Sequence, residues 1–118
     1  MKNFVKNESI SKSNFVHIYS GITKDELDKK IDEQMVLSGY KPVKGEPGNA
    51  SYEKGNKVLR ILLGAFSKYF KFDILTTVNS DEIKFELKKV TSGAAGGIVG
   101  VSQVNKELKR LAAQFQEL

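Results

Sequence analysis

Gly93, Gly96, Gly97 and Gly100 stand directly before an amphipathic pattern, and free backbone amides at the start of a helix can cradle a phosphate. Their spacing in GAAGGIVG matches neither the dinucleotide G-x-G-x-x-G pattern nor the P-loop, and no Lys-Ser or Lys-Thr follows. Gly93 with Gly97 and Gly96 with Gly100 are also small-xxx-small pairs of the kind that join membrane helices. However, the longest uncharged run, residues 90–105, is shorter than the ~20 residues of a spanning helix. The remaining reading is packing within the domain. Small residues let a helix backbone approach a sheet, and the bulkier residues from Val101 onward fill the space where the two diverge.

The other residues able to do chemistry are few. His17 is the only histidine and has no serine or carboxylate beside it to form a relay. With no cysteine, thiolate metal sites and disulfides are both excluded. Asp25, Glu26, Asp28, Asp32 and Glu33 form the one dense acidic group, but they alternate with Lys24, Lys29 and Lys30, as on a solvated helix. We expect no enzyme, no catalytic residue, no cofactor and no metal.

The elements that carry these residues follow from periodicity. FVHIYS (15–20) is β-branched and aromatic and stops at Gly21, which predicts a strand. Thr23 and Glu26 fit a capping box flanked by Ile22 and Leu27, so a helix starts there. Leu27, Ile31 and Met35 share its inner face, Gly39 ends it, and Pro42 prevents continuation. KPVKGEPGNA (41–50) holds both prolines and reads as a surface loop. Strands are expected at 51–54 and 57–64, joined by Gly55-Asn56 as a primed turn.

Strict alternation marks two further strands. Phe70, Phe72, Ile74, Thr76 and Val78 share one face of 69–78, opposite Tyr69, Lys71, Asp73, Leu75 and Thr77. Ile83, Phe85 and Leu87 face inward on 82–90. Matching the dry faces sets Val78 opposite Ile83, Thr76 opposite Phe85, Ile74 opposite Leu87 and Asp73 opposite Lys88, with 79–82 as the turn. Val101, Val104, Leu108, Leu111, Phe115 and Leu118 then form one helical stripe.

These elements predict an α+β domain over 15–118. A curved antiparallel sheet of about five strands carries an N-terminal helix and a long C-terminal helix on one face, in the order β-α-β-β-β-β-α. Residues 1–14, polar and lysine-rich, read as a mobile or loosely packed arm. From Phe15 onward the element order is similar to the helix-grip arrangement and to TATA-binding-protein-like half-domains. No sequence motif accompanies the similarity, so it implies a fold and no function.

A formal charge of +5, carried mostly by scattered lysines with only Arg60 and Arg110, argues against nucleic acid as the main partner and leaves weak nucleic-acid binding as the third expectation. No apolar targeting segment follows the first residues, and with no cysteine the expectation is a cytoplasmic protein. The leading functional expectation is a protein-protein or self-association module. Leu59, Ile61, Leu63, Tyr69 and Leu75 are its candidate interface: Tyr69 and Leu75 lie on an otherwise wet strand face, and Leu59, Ile61 and Leu63 help make both faces of their strand apolar. The alternative is a carrier or sensor of a hydrophobic small molecule held between sheet and terminal helix. Its lining would be Phe70, Phe72, Ile74, Phe85, Leu87 and Leu108.

Overall fold

The computed structural model describes residues 3–55, 69–90 and 97–118. In chain order these form β1 (Phe4–Ile10), β2 (Asn14–Ser20), α1 (Lys24–Leu37), β3 (Lys41–Glu46), β4 (Asn49–Gly55), β5 (Tyr69–Asn79), β6 (Glu82–Lys89) and α2 (Gly97–Phe115). The described strands make one antiparallel sheet in the order β1-β2-β6-β5-β4-β3. Over the described residues the fold is therefore α+β, an open antiparallel sheet with two helices.

β5 and β6 pair in the register that alternation predicts, including Val78 with Ile83, Ile74 with Leu87 and Asp73 with Lys88. A slip by one residue would turn Phe72, Phe85 and Leu87, all fully buried, toward water. Their inward side chains share one core with Leu27, Ile31 and Met35 of α1 and Val104, Leu108, Leu111 and Phe115 of α2. Both helices therefore lie on one face of the sheet.

Helix α1 begins where the sequence places it, with the Thr23 hydroxyl accepting from the Glu26 amide at 3.2 Å. It ends in a Schellman motif. The Gly39 amide donates to Val36 O and the Tyr40 amide to Met35 O, both at 3.0 Å, with Gly39 at φ 94°.

Two strands lie where the sequence carries no strand pattern. The segment 41–50, expected as a loop, contains β3 and the start of β4, joined by Pro47-Gly48 with Gly48 at φ 95°. Proline followed by a positive-φ glycine is the residue pattern of a type II turn. Every residue of β3 is exposed, so no apolar alternation marks it, and Pro42 is tolerated because β3 is an edge strand. Within the expected arm, residues 4–10 form the opposite edge strand, with register shifts after Phe4 and after Asn7. The described strands thus number six, with two strands ahead of α1 and four between the helices. Such bulges, like the one in β3, blunt an edge against pairing with another chain.

A buried polar tie fixes α1 to the sheet. Thr76 Oγ1 on β5 donates to Asp28 Oδ1 at 2.5 Å, and Lys24 Nζ reaches Asp28 Oδ2 at 2.6 Å. Asp28 is 5% exposed, so these donors supply what water would otherwise give the carboxylate.

Candidate functional site

With both helices on one face, the other face of the sheet carries no helix among the described residues. Strand register arranges its side chains in rows. One row runs Lys44, Ser51, Asp73, Lys88 and Asn14 across five strands, and the next runs Asn49, Leu75, Glu86 and Val16. The first row places two cations on either side of one carboxylate, and Ser51 Oγ donates to Asp73 Oδ1 at 2.5 Å. In the second, Glu86 Oε2 accepts from Asn14 Nδ2 at 2.7 Å, beside Leu75, which is 43% exposed.

A groove of about 460 Å³ follows these rows, bordered by Lys44, Ser51, Asp73, Leu75, Glu86 and Lys88. Two cations and two carboxylates leave it without net charge. Such a surface offers directional polar contacts around an apolar centre. Ser51 has no imidazole near it, because His17, the only one in the chain, lies under the opposite face.

His17 is fully buried. Its Nε2 donates to Ala112 O on α2 at 2.8 Å, and its Nδ1 accepts from Asn7 Nδ2 on β1 at 3.0 Å. Burial lowers its pKa from the ordinary value, outweighing the bonds to the Ala112 and Val16 backbone that favour the charged form. The side chain is a neutral bridge between three elements, with neither nitrogen left for a substrate.

A second buried polar group sits on α2. Glu107 accepts from the Tyr40 hydroxyl at 2.5 Å and from Arg110 Nε and Nη2 at 2.7 and 2.9 Å. Burial acts to raise the Glu107 carboxyl, but these donors, with the charges of Arg110 and Lys54, outweigh it and hold the pKa below 4.5. Burial and the Glu107 carboxylate push the Tyr40 hydroxyl far above its ordinary range. A cavity of about 700 Å³ opens beside this cluster, between Lys54 and Phe70 on the sheet and Lys106 and Arg110 on α2.

The six residues expected to line a hydrophobic ligand site come together in one buried cluster, each 0–6% exposed, and Phe70 among them also borders the cavity beside Glu107. Phe85 meets Phe115 edge-on at 5.0 Å and Phe15 at 5.6 Å. Of the expected interface, Leu75 is exposed on the helix-free face, whereas Tyr69 is 5% exposed and donates to Glu53 Oε2 at 3.1 Å. Leu59, Ile61 and Leu63 lie outside the described residues, as do the expected strand 57–64, Gly93 and Gly96. Helix α2 starts at Gly97, and Gly100 on it is buried. Sequence reasoning missed Lys44 and Ser51, which join the site only through β3 and β4. The Pro47-Gly48 pair was the one available signal for that hairpin.

No family model, curated protein or solved structure matches this chain. Among the described residues, no three His, Cys, Asp or Glu side chains cluster as metal ligands would. No described helix is long and apolar enough to cross a membrane.

Proposed function

We propose that this chain is a non-catalytic binding domain that works through the helix-free face of its sheet, with a second copy of itself as the occupant. The observation that carries the reading is the balanced, alternating charge of that face around exposed Leu75. Under a two-fold rotation about an axis between β5 and β6, Lys88 of one copy meets Asp73 of the other and Leu75 meets Glu86, so the charged row is complementary to itself. The bulged edges favour this face over pairing strand to strand. In outline the arrangement is helix-grip-like, a sheet that packs a long terminal helix on one side and leaves the other free.

The alternative reading is a hydrophobic-ligand carrier, whose expected lining lies in one buried cluster with Phe70 at the wall of the cavity beside Glu107. Light scattering coupled to size exclusion tests the proposal: a concentration-dependent dimer lost in Leu75→Glu supports it, and a monomer throughout the micromolar range contradicts it.

A further inference from the structure

The edge strand β1 is fastened to the domain by groups whose hydrogen bonds depend on the protonation of one side chain. Phe4 packs edge-on against His17 and Tyr19, with centroids 5.0 and 5.8 Å apart. Asn7 Nδ2 donates to His17 Nδ1, and the same nitrogen donates to Ser9 O at 3.0 Å and Val16 O at 3.4 Å. Those two carbonyls fix which end of the Asn7 amide faces the ring, because turning it would set an oxygen against them. The ring's other nitrogen is committed to Ala112 O. Nδ1 must therefore be an acceptor, and His17 is held as its neutral Nε2-H form.

Among the described residues that meet His17 none is a carboxylate, and the Ala112 and Val16 carbonyls, which favour its charged form, are outweighed by burial. His17 meets Phe4 and Asn7 of β1, Phe15 and Tyr19 of β2, Phe85 of β6 and Ala112 of α2. Tyr19 is the one titratable group among them; burial raises its pKa, and its hydroxyl donates to Phe115 O. Lys6 and Glu8 of β1 and Lys109 of α2 are exposed.

We infer that β1 is a proton-released strap: a proton on Nδ1 sets donor against donor at Asn7, and β1 detaches from β2 while the rest of the sheet stays paired. Detachment is the cheapest relief because β1 is an edge, mostly exposed and twice bulged, whereas β2 is also held by β6 along its whole length. It gives the imidazolium access to water and uncovers the β2 edge for pairing with another strand.

The sign follows from linkage. A histidine whose pKa is lower in the closed form than its ordinary 6.5 binds more protons when open, so closure weakens as pH falls below 6.5. Hydrogen exchange, corrected for intrinsic rates, tests this at about pH 7.5 and about pH 5.5. Within the window, β1 opening should increase by up to about tenfold per pH unit, with β5 and β6 amides as internal reference. The lone histidine gives an unambiguous ring signal in the same samples.

In His17→Gln, which cannot titrate, the difference between β1 and the reference should be independent of pH. Equal loss in β1 and β5–β6 overturns the inference, as does a ring that titrates while β1 protection holds, or a pH response that survives in His17→Gln. If His17→Gln does not fold, Asn7→Asp replaces it: a carboxylate accepts from the imidazolium, so β1 should stay closed in acid, and opening equal to the wild type overturns the inference.

Discussion

Tyr40 and Glu107, 67 positions apart, meet through a buried 2.5 Å hydrogen bond that ties the end of α1 to the middle of α2. Tyr40 is delivered there by the Schellman turn at Gly39, and its ring packs on Phe72 with centroids 5.9 Å apart. Glu107 keeps Arg110 as its second partner. Tyr40→Phe should therefore leave the fold intact but lower stability by about 1–3 kcal/mol, the cost of a hydrogen bond to a buried charged acceptor. Urea unfolding checks this through the midpoint, with the slope unchanged.

The same carboxylate predicts an acid response. Its folded pKa lies below 4.5, so the unfolded chain binds more protons as pH falls through that value. The contribution of Glu107 is fully present above 4.5 and is lost as pH falls toward and through the folded value. Glu107→Gln should be less stable than the wild type at neutral pH and show a smaller further loss in acid. Parallel urea midpoints across that range provide the comparison, and identical acid slopes would contradict the assignment.

Gly48 is constrained twice. Its φ of 95° suits glycine alone, and a Cβ there would overlap the Asp28 carboxylate, within the polar tie to Thr76 and Lys24. Gly48→Ala should cost roughly 1–3 kcal/mol from backbone strain, with disturbance of Asp28 added. Thermal melting resolves this easily, and a melting temperature within error of the wild type would show that the turn adapts.

Where burial falls on one face, the fold was legible in the residues. Phe72, Ile74, Phe85 and Leu87 alternate cleanly, and that alternation alone is enough to specify the β5–β6 register. Gly39 likewise marks the end of α1. Edge strands leave no such trace. All six residues of β3 are exposed, and β1 buries none fully, so neither had a period-two pattern to read. The open groove was therefore half visible: Asp73, Leu75 and Lys88 could be placed on one face from sequence, whereas Lys44 and Ser51 required the hairpin at Pro47-Gly48. The six apolar side chains expected around a ligand are all buried in the shared cluster, and alternation alone does not distinguish a lined space from a packed one.

Sedimentation equilibrium of the wild type and Leu75→Glu across the micromolar range tests the central claim most directly. The account predicts a reversible wild-type dimer and a Leu75→Glu chain that is folded and monomeric. A wild type that stays monomeric, or a dimer that Leu75→Glu leaves unchanged, would contradict it.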